Sequence, residues 1–432
     1  MSVARNTMRR NTGRRSASHD LRAYLREVRG GLPVTREMVY RLIRCDDEVL
    51  PDLLAAAVHG KEQFKPGVIT YSRKVFLPLT NLCRDRCGYC IFRRAPGQAG
   101  AHTMTPEEVL QVAREGERLG CREALFSLGD KPEQAFPEMR ATLRRLGYKS
   151  TLHYLEAMCE LVLRETALIP HANPGLMSAH WLRRLRAVSP SIGLMLETAS
   201  TRLLRRGGAH VQAPDKVPAR RLAVIEAAGR LRIPFTTGIL VGIGETPEER
   251  VDSLFALAEL HRCYGHIQEV IVQNFRVKTG IAMSGAPEPA MDEMLRTIAV
   301  ARLALRGVNL QAPPNLSLPN YERLLEAGIN DWGGISPLTP DFINPERPWP
   351  HLRELEQRTR AAGYELRQRL PVYPEFLLMA VQGGGAAAEK IVDATDLEGY
   401  VRTPGAAHEF EKLAAALLKT APAKKRTAGG AS

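Results

Sequence analysis

The chain has 432 residues, of which 44% are hydrophobic and 25% are charged, a composition typical of a globular protein with one large domain. No apolar run reaches the roughly 18 residues that a membrane-spanning helix needs, and no secretory leader is recognisable, so we expect a cytoplasmic protein without a membrane partner. The formal net charge of +13 is concentrated toward the two ends. No basic face is interleaved with aromatic residues, which argues against a nucleic-acid partner.

Charge and helical periodicity divide the chain into four parts. We predict a disordered basic start at 1–19, a helical lead-in at 20–67, a barrel at 68–380, and a helical segment with a disordered basic tail at 381–432. The Arg- and Ser-rich start also has the composition of an organelle transit peptide, but it lacks the apolar periodicity that would support this interpretation.

Eight short apolar, β-branched or aromatic runs alternate with helical segments through the barrel region. They lie near 74–83, 122–129, 166–175, 191–198, 233–244, 267–275, 308–316 and 331–336. One of the separating helices has clear boundaries, with Thr105 as N-cap, Pro106 at its first position, Glu108 at the capping-box position and Gly120 after its end. Eight such units predict an α/β fold, a (βα)₈ barrel of the TIM type.

The loop after the first predicted strand, "LTNLCRDRCGYCIF" at 79–92, contains three of the seven cysteines, Cys83, Cys87 and Cys90. Loops that follow the strands of a parallel barrel form its catalytic mouth, so this position favours chemistry over stability. Three thiolates are one too few for a structural zinc site, but they leave one iron of a [4Fe-4S] cluster open to another ligand. The alternatives are a three-cysteine zinc site with a distant fourth ligand, and reduced cysteines that merely pack.

The segment "CRDRCGYC" matches the pattern CxxxCxΦC and resembles the signature of radical S-adenosylmethionine (SAM) enzymes. This resemblance implies that Cys83, Cys87 and Cys90 bind a [4Fe-4S] cluster and that SAM chelates the open iron. It also implies that one electron from the cluster cleaves SAM to a 5′-deoxyadenosyl radical, which abstracts a hydrogen atom while the protein orients the reactants. The fold expected from it is the radical SAM type of barrel.

Weaker signals indicate further cofactor contacts. Gly129 and Asp130 resemble a Gly-Glu element that holds the methionyl amino group, although Asp130 is a methylene shorter, so its contact would be displaced or bridged by water. Glu197 resembles a cofactor-contacting residue, Gly242 resembles a glycine that lets the backbone approach adenine, and Tyr89 can cover the cluster. A helix-capping turn at Gly129 and Asp130, and a strand-end ion pair for Glu197, would explain these residues without a cofactor.

Longer strings narrow the resemblance to one family. "CGYCIFRRAPGQ", "EALFSLGDKPE", "QNFRVKTGIAM" and "DWGGISPLTPDFINPERPWP", all between about Val68 and about Leu378, are similar to the ring-closing branch of the deazaflavin synthase family, which makes the chromophore precursor of coenzyme F420. The resemblance implies an ammonia-releasing carbon–nitrogen lyase. Its substrate would be 5-amino-5-(4-hydroxybenzyl)-6-(D-ribitylimino)-5,6-dihydrouracil, and its products 7,8-didemethyl-8-hydroxy-5-deazariboflavin (FO), methionine and 5′-deoxyadenosine.

Such a flat, polyhydroxylated, amide-rich substrate needs polar partners at strand ends. The residues predicted to contact it are Gln273, Asn274, Asn315, Asp331 and Ser336. Ordinary loop hydrogen bonding is the alternative for each of them. Tyr154 and His171 are candidate proton handlers, although a packed core histidine is the commoner case for His171. We expect Trp332 to pack rather than to stack on a substrate.

The single CxxxCxxC motif implies one of the two radical steps that the pathway needs. We therefore expect a partner radical SAM enzyme to supply the tyrosine–uracil adduct, and an electron donor such as ferredoxin or flavodoxin. A rival function of the same class is the sister reaction, which couples tyrosine to 5-amino-6-(D-ribitylamino)uracil. A rival of another class is a non-catalytic metal-binding scaffold.

Overall fold

A closed parallel barrel of eight strands forms the centre of the computed structural model, which describes residues 18–402. The strands are β1 Val68–Thr80, β2 Glu123–Leu128, β3 Ile169–Asn173, β4 Ser191–Gly193, β5 Phe235–Val241, β6 Ile267–Asn274, β7 Asn309–Gln311 and β8 Asp331–Ile335. Strands that are consecutive in sequence are neighbours in the sheet, and β1 pairs with both β2 and β8, which closes the barrel. The predicted (βα)₈ fold is confirmed.

Helices cover the outside of the barrel, as the alternating sequence pattern predicts. Those before and between the strands are α1 18–29, α2 Arg36–Leu42, α3 Leu50–Phe64, α4 Pro106–Arg118, α5 Pro132–Ala135, α6 Pro137–Arg145, α7 Thr151–Glu165, α8 Ala179–Arg186, α9 Pro218–Arg230, α10 Pro247–Tyr264 and α11 Met291–Ala304. After the barrel strands come α12 Leu352–Ala361, a ninth strand β9 Glu365–Gln368, α13 Leu377–Val381 and α14 Gly385–Ala394. None of the described helices has both the length and the apolar character needed to cross a bilayer.

The first strand is longer than its apolar run predicts, because it pairs with three other strands. Its amino-terminal residues, Val68 to Tyr71, pair with β9, the following residues pair with β8, and the stretch from Lys74 to Thr80 pairs with β2. By contrast, β4 and β7 have three residues each, fewer than predicted. After β7 and Ala312 come the consecutive prolines Pro313 and Pro314, which lack the N–H groups that a sheet requires.

Capping boxes fix two turns from strand-side loops into helices. At the start of α4 the side chain of Thr105 accepts from the N–H of Glu108, and the Glu108 side chain accepts from the N–H of Thr105. Thr246 and Glu249 repeat the arrangement at the start of α10. The boundary predicted at Thr105 is therefore confirmed, and in both helices a proline occupies the first position, where its missing N–H costs nothing.

A buried ionic network fills the amino-terminal end of the barrel. Arg369, in the segment that follows β9, donates to Asp331 at 2.6 Å and to Glu269 at 3.0 Å, and all three side chains are almost fully buried. The hydroxyl of Tyr373 also donates to Glu269, at 2.7 Å. Since Asp331 begins β8 and Glu269 lies near the start of β6, the segment after β9 closes the barrel at the end opposite its mouth.

The basic ends that were predicted to be disordered lie outside the described residues, except for Ser18 and His19, which begin α1. The division of the chain at 67 and 380 stays a prediction.

Replacing Arg369 should destabilise the protein strongly. The Arg369→Gln variant leaves two buried carboxylates without a cation, and breaking such a buried pair typically costs about 3–5 kcal/mol. Chemical denaturation should show this loss. Arg360, an exposed arginine of α12, supplies the matched control, and Arg360→Gln should change the free energy of unfolding by less than about 0.5 kcal/mol. An equally small change in the free energy of unfolding for Arg369→Gln would show that the ionic network contributes little to stability.

Candidate active site at the barrel mouth

A cavity of about 260 Å³ opens at the carboxyl ends of the barrel strands. The side chains with polar or ligating atoms that line it are Cys83, Asp85, Cys87, Tyr89, Cys90, Arg93, Ser127, Asp130, Asn173, Glu197, Lys216, Arg221, Gln273, Asn274, Arg276, Lys278 and Asn344. They come from loops that follow several different strands. This is the end at which parallel barrels hold their active sites, so the cavity is the candidate site.

Backbone hydrogen bonds hold the cysteine loop on three sides. The N–H of Gly88 donates to Ala209 O at 2.8 Å, and the carbonyl of Gly88 accepts from the N–H of Met283 at 3.0 Å. Arg84 N–H donates to Asp130 O at 3.2 Å on the side of β2. The protein alone therefore positions all three cysteines of the motif around one cavity.

The spacing of the three sulfur atoms argues against a single zinc ion. Zinc–sulfur bonds of about 2.3 Å in a tetrahedron bring two sulfur atoms to about 3.8 Å from each other. Among residues 18–402, the one group of three or more ligand-type side chains whose atoms all lie within 4.8 Å of one another is Asp85, Asp130 and Asp215. The three cysteines do not form such a group, so at least two of their sulfur atoms lie more than 4.8 Å apart, which is wider than one zinc ion requires.

Gly129 lets β2 approach the cysteine loop closely. A Cβ atom at this position would overlap the carbonyl oxygen of Leu82 and lie 2.7 Å from Cys83 Cβ. The next residue, Asp130, donates its N–H to Cys83 Sγ at 3.2 Å. Hydrogen bonds to sulfur tune iron–sulfur clusters, so the donor set and this N–H both fit a thiolate-bound cluster.

Burial favours the neutral thiol form of Cys83 and Cys87 in the protein alone. Loss of solvent raises the pKa of Cys83 to about 12, and it also raises the pKa of Cys87, against the opposing charge of Lys216. Because metal ligation requires the thiolate, binding of iron would release these protons.

The carboxylate of Asp130 is held by groups of the protein itself. It accepts from Lys131 Nζ at 3.0 Å and from the N–H of Leu176 at 3.1 Å. Burial raises its pKa, and the nearby charge of Asp215 raises it further, while Lys131 acts in the opposite direction. Gly175 makes this geometry possible, since a Cβ there would lie 2.6 Å from Asp130 Cγ. Asp130 lines the cavity, and its contact with SAM stays a prediction.

Cations balance the group formed by Asp85, Asp130 and Asp215, of which the first two line the cavity. Arg84 binds Asp215 through two hydrogen bonds of 2.5 and 2.6 Å, and Lys131 Nζ lies 3.1 Å from the same carboxylate. Asp85 accepts from the N–H of Asp215 at 3.0 Å. These contacts satisfy the acidic group without a metal ion.

Glu197 forms an ion pair in the cavity wall with a residue that the sequence analysis missed. Lys216 Nζ donates to Glu197 at 2.6 Å. Burial disfavours the Glu197 carboxylate, but the charges of Lys216 and Arg221 and the hydrogen bond from Lys216 together outweigh burial and lower the pKa of Glu197. The backbone of Glu197 is left-handed, with φ of 65°, a conformation that costs a non-glycine residue about 1–3 kcal/mol and often marks functional sites. The ion pair that the sequence analysis gave as the alternative for Glu197 therefore exists, and its partner is a lysine.

The position of Lys216 in the sequence could have predicted its place at the cavity. It lies in the segment between β4 and α9, two residues before Pro218, the first residue of that helix. Residues between a strand and the next helix face the mouth of a parallel barrel. Arg221, one turn into α9, joins it there and donates to Met195 O at 2.7 Å.

Tyr89 lines the cavity between the second and third cysteines. Its hydroxyl lies 3.1 Å from His210 Nε2. Burial lowers the pKa of His210 to about 4, so the imidazole is neutral and Nε2 can accept from the tyrosine. This contact fixes the tyrosine ring at the cavity wall.

The structure brings only some of the other predicted residues to the cavity. Gln273 and Asn274 line it, and the Asn274 amide donates to Leu316 O at 2.8 Å. Three do not line it. They are Gly242, Asn315 and Ser336. The N–H of Gly242 donates to Glu245, and the side-chain amide of Asn315 donates to Asp341 and to Arg347 O. The Ser336 hydroxyl forms a hydrogen bond with the Thr339 hydroxyl.

Three placements are corrected. Asp331 begins β8 rather than ending it, and so lies at the opposite end of the barrel, bound to Arg369. His171 points inward below the cavity, with Nδ1 2.7 Å from Ser191 Oγ. Tyr154 lies on α7 outside the barrel and donates to Met104 O at 2.6 Å. Position beside a strand was visible in sequence, but not which end or which face each residue occupies.

Trp332 packs on the outer face of β8. Its indole N–H donates to Thr359 Oγ1 of α12 at 2.9 Å, and its ring meets Tyr321 edge-on with 5.4 Å between centroids. It takes no part in the cavity.

Comparison with known proteins identifies close relatives. The Radical SAM superfamily matches residues 77–257. FO synthase of Streptomyces coelicolor is 50% identical over 83% of this chain and 43% of its own length. FO synthase of Mycobacterium tuberculosis H37Rv is 49% identical over 85% of this chain and 44% of its own length. The chain thus spans less than half the length of these curated relatives.

One relative is matched over its whole length. The 7,8-didemethyl-8-hydroxy-5-deazariboflavin synthase of Methanopyrus kandleri is 46% identical over 335 residues, which are 78% of this chain and 100% of that protein. Among solved structures, methylornithine synthase matches with a TM-score of 0.63 at 19% identity, covering 80% of this chain and 97% of its own. An FeFe-hydrogenase maturase from Carboxydothermus hydrogenoformans matches with a TM-score of 0.66 at 18% identity. The match covers 96% of this chain and 97% of the maturase chain. These two structural similarities support the assignment of the barrel fold.

Substituting Gly129 should impair metal binding. In Gly129→Ala the new methyl group collides with the cysteine loop, and we expect that overpacking to cost about 1–3 kcal/mol and to displace Cys83. Iron and sulfide content after anaerobic reconstitution should fall. The control is Gly285→Ala, where a Cβ would have no neighbour within 4 Å. Equal iron content in both variants would contradict the role assigned to this contact.

Proposed function

This chain belongs to the FO synthase family of radical SAM proteins, and we propose that it catalyses the ring closure that forms FO. The supporting observation is a single cavity at the barrel mouth where three cysteines of one loop face amide and cationic side chains. The proposed substrate is the adduct of a 4-hydroxybenzyl group with a ribitylated uracil. Because the reaction releases ammonia from carbon, the enzyme would be a carbon–nitrogen lyase.

We propose that Cys83, Cys87 and Cys90 hold a [4Fe-4S] cluster and that SAM occupies its open iron. When bound, the cluster and SAM supply the electron and the radical that removes a hydrogen atom from the substrate. The N–H of Asp130 would stabilise the Cys83 thiolate through the hydrogen bond that it already makes to the sulfur. Asp130 and Glu197 are the carboxylates on the wall that can receive the cationic amino group and the ribose of SAM.

The wall formed after β6 suits the uracil part of the substrate. Gln273 and Asn274 each offer an amide donor and acceptor, the pairing that a uracil edge requires. The bond from Asn274 to Leu316 O fixes the orientation of its amide. We propose these two residues as substrate contacts, while Asn315 and Ser336 would act behind them.

Lys278 is the best-placed side chain for the proton that departing ammonia requires. It lines the cavity with little exposure, and its Nζ donates to Arg276 O at 3.0 Å. Burial lowers its pKa, which makes the ammonium a better proton donor. Lys216, the other lysine of the wall, is held in its ion pair with Glu197. We therefore assign proton donation to Lys278 rather than to Tyr154 or His171.

The proposal includes two partners. A second radical SAM enzyme would supply the adduct, and a low-potential donor such as ferredoxin or flavodoxin would reduce the cluster. We also propose a cytoplasmic location, because thiolate-bound clusters need a reducing compartment.

The adduct assay tests this function. Anaerobically reconstituted protein, given SAM, reductant and the pre-formed adduct, should release FO, which is detected by its fluorescence. The parallel reaction receives tyrosine and 5-amino-6-(D-ribitylamino)uracil instead of the adduct. Turnover in the parallel reaction alone would assign the coupling step to this chain, and binding of zinc without turnover in either would favour a scaffold.

The cysteine motif can be tested separately. Replacing Cys83, Cys87 or Cys90 by Ala should abolish formation of 5′-deoxyadenosine, because each removal leaves the cluster without a ligand. Cys121→Ala and Cys263→Ala serve as controls, since neither thiol lines the cavity, and both should keep the activity. Product analysis by chromatography measures the difference. If all five variants lost activity alike, the assignment of ligands would fail.

A further inference from the structure

We propose that an arginine-rich surface over the cysteine loop is the docking site for a small acidic protein that carries single electrons. We call this surface the arginine face and define it by Arg86, Arg93, Arg205, Arg206 and the exposed Val211. The inference rests on the proposed function, because only a reducible cluster needs an external electron. In each encounter the carrier would lose one electron and the cluster would gain it.

The cover over the cysteine loop is thin beside the arginine face. The loop between Cys87 and Cys90 bonds on its outer side to Ala209 and Met283, both through the backbone of Gly88. Gly88 is only half-buried and has no side chain, and Ala209 contributes a single methyl group. Since the rate of electron transfer falls steeply with distance, a carrier would gain most by docking here.

The same backbone contacts place the arginines around this thin cover. Arg86 lies inside the cysteine loop, and its N–H donates to Gln212 O at 2.9 Å, next to Val211. Arg205 and Arg206 belong to the turn that leads into Ala209, in which the N–H of Gly208 donates to Arg205 O. Arg93 donates to Cys83 O at 3.3 Å from the other side of the loop.

The three chain segments around the arginine face contain no acid of their own. The segments 86–100, 198–214 and 276–287 contain eight Arg and Lys residues and not one Asp or Glu. Glu249 binds Arg202 and Glu288 binds Arg276, so these two cations are neutralised by acids of neighbouring segments. Asp85 and Asp215, which flank the segments in sequence, are buried. Among the described residues, Arg86, Arg205 and Arg206 have exposed side chains with no carboxylate partner. The surface therefore presents uncompensated positive charge to solvent.

This chemistry selects one kind of partner. A carrier protein with an acidic surface would be steered to the arginines, and complementary charge raises association rates by about 10- to 1,000-fold. Val211, which is 51% exposed, adds a small apolar contact at the centre of the surface. Weak electron-transfer encounters need only a small interface, under about 1,200 Å².

The test compares two reductants in the full reconstituted protein. Formation of 5′-deoxyadenosine is measured with dithionite, which needs no docking, and with a reduced acidic ferredoxin. The variant is R205E/R206E, which reverses two charges outside the cavity. The control is R118E/R360E, which reverses two exposed arginines, one in the last turn of α4 and one in the last turn of α12, at the far end of the barrel.

We expect R205E/R206E to lower the ferredoxin-driven rate by about tenfold or more, the scale of electrostatic steering, and to leave the dithionite-driven rate unchanged. Added salt should slow the ferredoxin-driven reaction of the unmodified protein and spare the dithionite reaction. An unchanged ferredoxin rate would overturn the docking site, and so would a parallel loss with both reductants. If the unmodified protein forms no 5′-deoxyadenosine with dithionite, the proposed function fails instead.

Discussion

The pairing of β1 with three other strands is the constraint on which the architecture depends. Its carboxyl half joins β2, its middle joins β8, and its amino-terminal residues join β9. The first pairing brings the cysteine loop, which directly follows β1, against Gly129 and Asp130, which directly follow β2. The second closes the barrel and thereby defines the cavity. The third attaches the segment whose Arg369 fills the opposite end.

Charge is distributed differently at the two ends of the barrel. At the amino-terminal end, Arg369 satisfies two carboxylates that have no access to water, which stabilises the fold and leaves no room for a ligand. At the mouth, Glu197 and Asp130 also have lysine partners, but these pairs border a cavity. A ligand with both ammonium and carboxylate groups can exchange partners with such pairs, because each protein ion then gains a new counter-ion.

Sequence alone predicted the features that depend on local pattern. The eight strands, the capped start of α4 at Thr105 and the grouping of Cys83, Cys87 and Cys90 all follow from periodicity, capping chemistry or spacing within a few residues. Prediction from sequence failed where contacts between distant parts of the chain determine the structure. The extension of β1 depends on a partner almost 300 residues later, since Val68 pairs with Glu365. Asp331 was misplaced for another reason, because the predicted run 331–336 already began with it and so put it at the end opposite the mouth. Lys216 was missed because its one signal, a position between β4 and α9, is shared by every residue of that long segment.

The closure of the barrel by the segment after β9 also has a consequence for synthesis on the ribosome. The amino-terminal half of the chain, including the cysteine loop, emerges long before Arg369 exists to neutralise Asp331 and Glu269. Contacts of such large sequence separation form slowly. The barrel therefore cannot close at its amino-terminal end until synthesis has passed residue 369, because Asp331 and Glu269 must stay in contact with water until Arg369 can bind them.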